Sequence, residues 1–229
     1  MVEKSKKTRN RKPNPHKREF GIEIVKGDNC YNDIKHKIAI DIGFRTAGLT
    51  WLNMKTLEIK CLNYKKNKDC QVQGMKIVNL LNLCRDTIKD YIALFPNEVL
   101  NDIKNTQIIL EEPLIIAGQR SFSISLYILL SQLIKYFIKD LQVHSVCLVV
   151  PGSAKKLLGF KSNVHMPDSE KTKFVKENIP EAECRNNHCA DSVFSIILTN
   201  QEVLSKKYKF MELLNKVDYK VYESCLQGD

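Results

Sequence analysis

Glycine and proline are scarce in this chain, 9 and 7 among 229 residues. That excludes collagen-like and linker-rich architectures and leaves length enough for one packed domain plus a tail. None of the cysteines (Cys30, Cys61, Cys70, Cys84, Cys147, Cys184, Cys189 and Cys225) forms a Cys-x-x-Cys pair. Cys184, His188 and Cys189 lie close together, but a fourth ligand at zinc spacing is missing, which argues against a structural zinc site. No unbroken apolar run approaches the ~18 residues that a membrane-crossing helix needs. No signal peptide precedes the cysteines, and several sit inside apolar runs as buried free thiols do. The expectation is a reducing, intracellular setting and no disulfide scaffold.

What is abundant is positive charge. Lys and Arg number 36 against 26 Asp and Glu, a formal charge of +10. A basic surplus suits a polyanionic partner, because cationic side chains release the counterions condensed on phosphates. The surplus is uneven: Lys4, Lys6, Lys7, Arg9, Arg11, Lys12, Lys17 and Arg18 face only Glu3 and Glu19 before residue 20. With almost no apolar residues there, 1–35 reads as a basic, disordered arm, 36–205 as the folded domain and 206–229 as a charged tail.

Within 36–205 the hydrophobic period changes repeatedly. The runs 37–42, 48–53 and 57–63 read as three successive strands, an antiparallel meander. Between 71 and 94, Ile77, Leu80, Leu81, Cys84, Ile88 and Ile92 recur at three and four, the spacing of an amphipathic helix stopped by Pro96. TQIILE at 106–111 reads as a buried strand, 121–139 as a largely apolar helix, and 144–150 as a fifth strand closed by Pro151. Helices follow at 169–178, capped by Asp168 or Ser169, and at 189–204. The order βββ-α-β-α-β-α-α gives an α/β class with a central mixed five-stranded sheet flanked by helices, the order of the RNase H-like fold.

Four side chains stand at element ends on the side where a loop-built site would form. Asp41 closes the first strand, Glu111 closes the fourth, and His188 and Asp191 stand three apart at the start of the last helix. Glu112 competes with Glu111 for the same role. Hydrolysis of a phosphodiester by two metal ions needs crowded oxygen ligands, and Mg²⁺ favours carboxylates, water and phosphate oxygens. Crowded carboxylates repel one another without a cation, and a histidine among them binds metal or moves a proton.

These segments resemble the RuvC-like Holliday-junction resolvases, including those of large DNA viruses. IAIDIGFRTAGLTWLN is similar to their first motif, ILEEPL to their second, VVPGSAKKLLG and DSEKTKFVKENIP to the basic segments between, and NNHCADSVFSIILTN to the last, in the family's order over about residues 37–200. The resemblance implies two Mg²⁺ or Mn²⁺ ions held by Asp41, Glu111, His188 and Asp191, with Lys155 (or Lys156) and Lys171 near the scissile phosphate. It implies a homodimeric endonuclease acting on four-way DNA junctions, at a nuclear or cytoplasmic site of DNA replication, with the apolar helix at 121–139 as a candidate dimer surface. The chain departs from bacterial members where Pro113 and Leu114 stand in place of an aromatic after the catalytic Glu. Two rivals remain: an RNase H-like nuclease acting on RNA in the manner of the YqgF family, and a non-catalytic DNA-binding module. An actin-like ATP-binding domain would need further Gly-rich phosphate loops, which the few glycines do not supply.

Overall fold

The computed structural model describes residues 21–66, 72, 74–113, 120–150, 168–213 and 220–225. Seven strands form one sheet: β1 (Gly21–Lys26), β2 (His36–Asp41), β3 (Thr46–Asn53), β4 (Ile59–Lys65), β5 (Thr106–Glu111), β6 (Ser145–Val149) and β7 (Lys220–Cys225). They lie in the order β4-β3-β2-β5-β6-β1-β7. β2, β3 and β4 are the antiparallel meander, while β5 and β6 run parallel to β2. These five expected strands form a mixed α/β sheet in the expected order, with helices on both faces.

Two further strands widen the sheet. β1 pairs antiparallel with β6, and β7 parallel with β1. Both fall in segments expected to be an arm and a tail, so the folded unit extends beyond 36–205 on each side. The physical reason is local: in GIEIVK, apolar Ile22 and Val25 are buried, enough to hold a strand even though a basic run precedes it.

Strand alternation divides the core into two layers. Ile38, Ile40, Ile108 and Leu110 face one way, against Leu80, Cys84 and Ile88 of α1 (Ile77–Ile92) and Leu129 and Leu133 of a later helix. Ala39 and Ile109 face the other way, against Ala190, Val193 and Ile197. In the first layer α2 (Asn97–Asn101), whose Val99 is buried in the same cluster, leads into β5. The helix α3 (Arg120–Lys135) continues through a π turn, Tyr136–Asp140. Taken as one 21-residue helix, Arg120–Asp140 is long and apolar enough by length and composition to cross a membrane. A search for unbroken apolar runs overlooks it because serines, glutamine and lysines interrupt the sequence. In this fold its Leu129, Leu133 and Phe137 are fully buried.

The second layer holds α4 (Asp168–Asn178), α5 (Asn187–Thr199) and α6 (Gln201–Ser205). α5 begins two residues earlier than its apolar run suggests, because the Asn186 side chain caps it by accepting a hydrogen bond from the Cys189 backbone N–H at 2.9 Å. It ends at Thr199, where Asn200 separates it from α6.

One core position is unfavourably charged. Lys37 on β2 is 8% exposed, and burial lowers its pKa from 10.5 to about 8. A lowered amine pKa means the folded state pays for the ammonium at every pH below about 8. The cost disappears as pH rises from there toward 10.5, because the folded chain releases the proton first. Lys37→Met is therefore expected to stabilise the protein at pH 7 by about 3 kcal/mol and to flatten the rise of stability above pH 8. Urea unfolding of both proteins at pH 7 and pH 10 checks this, and equal stability of the two at pH 7 would overturn it.

Candidate active site

The site lies at the carboxyl ends of β2 and β5. Ile40 pairs with Leu110 in the parallel register, so Asp41 and Glu111 continue the row begun by Ala39 and Ile109. That row faces α5, and both acids are half-buried. Glu112 follows the strand, with its backbone N–H donating to the Val149 carbonyl at 3.0 Å.

α5 brings the distant pair to this edge. Its early start puts His188 and Asp191 one turn apart within the helix. The His188 ring lies with Nδ1 2.7 Å from Asp41 Oδ2 and Nε2 3.0 Å from Thr46 Oγ1. The Asp41 carboxylate accepts from Nδ1–H, which fixes the proton there in the neutral ring and leaves Nε2 to accept the Thr46 hydroxyl. That bond to Asp41 raises the pKa of His188 above its ordinary value, outweighing the opposing effect of burial. Lys171 on α4 donates to both oxygens of Asp191, each at 2.7 Å. Burial nevertheless pushes the Asp191 carboxyl above the usual range, with Lys171 pulling the other way.

The approach of α5 depends on three alternating positions of β3. Thr46, Gly48 and Thr50 share the face toward the helix: Thr46 meets His188, and Thr50 Oγ1 lies 2.6 Å from Ser192 Oγ. Gly48 is the cross-strand partner of Asp41, and a methyl group on it would overlap the His188 carbonyl. Small side chains here let the backbone of α5 lie directly on the strand.

The turn after Asp41 is held from the opposite layer. The buried hydroxyl of Tyr91 donates to the Gly43 carbonyl at 2.7 Å and accepts from the Gly43 N–H at 3.0 Å. Neither Thr46 nor Tyr91 is among the residues singled out from sequence. Tyr91 extends the buried row Cys84, Thr87, Ile88 of α1, so its inward direction follows from the same helical spacing, though its hydroxyl partner does not. Thr46 shows only as one of the small alternating residues in TAGLT.

The structure thus brings together Asp41 with His188 and Lys171 with Asp191, and places Glu111 on the same sheet face. Lys155 and Lys156 lie outside the described residues. Among the described residues no group of three or more His, Cys, Asp or Glu converges closely enough to hold a metal ion. Both Asp191 oxygens are engaged by an ammonium and both His188 ring nitrogens by neighbours, so these side chains do not accept a divalent ion in their present arrangement. Beside the site, the Cys184 thiol donates to the Asn186 carbonyl at 3.4 Å and the Cys189 thiol to Asn63 Oδ1 at 2.7 Å, and the neighbouring Cys184 and Cys189 push the pKa of Cys61 upward. Cys30, Cys61, Cys84, Cys147, Cys184 and Cys189 are free thiols.

No protein-family model matches this chain, and none of the curated proteins matches it in sequence. Among solved structures it is similar to T. thermophilus RuvC in complex with Holliday junction substrate, at 16% identity and a TM-score of 0.45, over 75% of this chain and 94% of that one.

Proposed function

We propose that this protein is a structure-specific endonuclease that resolves four-way DNA junctions by paired phosphodiester hydrolysis with Mg²⁺ or Mn²⁺. The observation that carries this reading is the convergence of Asp41 and His188, 147 residues apart in sequence, into a 2.7 Å pair at the strand edge where Glu111 faces the same side. The order and spacing of the motifs that resemble the resolvases support it, as does the chain's +10 charge.

The roles follow from placement. Strand alternation favours Glu111 over Glu112 as the acid that shares a face with Asp41. Asp41 orients the imidazole, and His188 offers a proton-carrying group beside the reacting phosphate. Lys171, paired with Asp191 at this edge, suits the charge that builds on a phosphate during cleavage. α4 also borders a cleft of about 580 Å³ that includes Lys173 and Lys176, a path for a nucleic-acid backbone. Phosphate contacts of this kind read junction shape more than base sequence.

Two nicks placed symmetrically call for a twofold dimer. Exposed apolar side chains on the packed helices α1 and α3, among them Ile77, Val78, Phe122 and Ile124, suit such an interface.

The test is cleavage of a synthetic four-way junction beside linear duplex, single-stranded DNA and RNA, each with Mg²⁺, with Mn²⁺ and with EDTA. Symmetric paired nicks in the junction, abolished by EDTA, are expected. Cleavage of RNA alone would move the function to RNA processing, and no cleavage of any substrate would leave a DNA-binding module.

A further inference from the structure

Three thiols from separate parts of the chain meet beside α5. Cys61 stands on β4, Cys184 in the connection from α4 to α5, and Cys189 in the first turn of α5. Asn63, two residues from Cys61 on the same strand face, ties them together: its Oδ1 accepts from the Cys189 thiol at 2.7 Å and from Asn186 Nδ2 at 3.1 Å. Cys61 Sγ lies 3.9 Å from Thr50 Oγ1, and Cys184 and Cys189 are the neighbours that raise the pKa of its thiol.

The two neighbours of Cys61 are held differently. Cys189 is fixed, with its backbone N–H donating to the Asn186 cap and its thiol to Asn63. Cys184 lies outside regular structure, between Glu183 at φ +52° and the exposed Arg185. Its thiol makes a longer contact, 3.4 Å to the Asn186 carbonyl. A disulfide needs Cα atoms about 4.4–6.8 Å apart and a defined torsion, and an irregular connection can shift to meet that where a capped helix cannot. Cys61 also holds the Cys184 pKa below its ordinary value against the effect of burial, so Cys184 is the member that supplies a thiolate. Cys61 is half-buried and Cys184 sits between two exposed residues, so a small oxidant can reach the pair.

We propose that Cys61 and Cys184 form a reversible redox pair that closes to a disulfide under a peroxide oxidant and reopens under a thiol reductant. The Cys184 thiolate attacks one peroxide oxygen, the O–O bond breaks, and the departing hydroxide takes up the proton that Cys184 shed, leaving as water. The Cys61 sulfur then attacks the sulfenic acid on Cys184. The S–S bond forms, the S–O bond breaks, and the hydroxyl leaves with the Cys61 proton as a second water. Two electrons pass from the two sulfurs to the peroxide. The new bond joins β4 to the chain two residues before the Asn186 cap, so it fixes the entry to the helix that carries His188 and Asp191.

Trypsin puts the three thiols on separate peptides, 61–65, 177–185 and 186–206, bounded by Lys60, Lys65, Lys176, Arg185 and Lys206. The folded full-length protein is treated with hydrogen peroxide, its remaining thiols are alkylated, and the digest is mapped by mass spectrometry without reductant. A cross-linked species joining 61–65 to 177–185 is expected, and dithiothreitol should remove it. Closing so long a loop is expected to raise the melting temperature of the oxidised protein by about 5 °C or more. Cys184→Ser should abolish both effects and Cys30→Ser neither, while the wild-type peptide map needs no variant. A disulfide joining 61–65 to 186–206 instead, or none containing Cys61, would overturn the pairing, as would a cross-link that forms only after unfolding in urea.

Discussion

Gly48→Ala is expected to destabilise the protein by about 3 kcal/mol or more, at the upper end of what overpacking a core costs, and to abolish the proposed activity. The added methyl would overlap the carbonyl and carbon of His188 and crowd the Cys189 nitrogen. All three are backbone atoms, so no rotamer change relieves the contact and the first turn of α5 must move off β3. That displacement breaks the 2.6 Å Thr50–Ser192 contact and carries His188 away from Asp41. Gly74 provides the contrast. Its φ is +78°, but nothing lies within 4 Å of a methyl there, so Gly74→Ala should cost only about 1 kcal/mol of backbone strain. Urea midpoints of the two variants separate steric exclusion from conformational freedom. Wild-type stability in Gly48→Ala would mean that α5 does not lie on the strand.

On the proposed nuclease reading, Asp41→Asn should leave the fold intact and sharply reduce cleavage. The amide oxygen of asparagine still accepts from His188 Nδ1, so the melting temperature should shift little. The negative charge is lost, and with it the raised basicity of His188, whose first cause is the bond to Asp41. A fall in kcat/KM on the junction on the order of 10³-fold, about 4 kcal/mol of transition-state stabilisation, is expected, with junction affinity retained in a gel-shift assay. Wild-type cleavage by this variant would remove Asp41 from the chemistry and with it the proposed site.

Much of this was legible in the sequence, for identifiable reasons. The apolar run KIAIDI, the period change after Gln71 and the run TQIILE are local signals, and each element forms where its pattern puts it. Asp41 and Glu111 are recognisable because both end buried strands, and parallel register then aligns them without further information. The added strands were hidden for the opposite reason: β1 is short and follows a basic run, and β7 lies in a segment whose charges mask its alternation. The clamp of Tyr91 on Gly43 and the closure of Lys171 on Asp191 join elements far apart in the chain. Sequence can supply the residue types for such pairs, but only packing decides which lysine meets which acid.

The sheet's outer edge has a consequence for how the chain is made. β1 is translated first and finds β6 once residue 149 has emerged, but its other side waits for β7, whose Lys220 pairs with Gly21. α5 precedes β7 in the chain, so the acidic edge can assemble while one flank of the sheet stays open. An unpaired strand is a template for another chain, and late, non-local closures are the slow steps of folding. Chains truncated between Thr199 and Lys220 should therefore associate with one another more readily than the full chain.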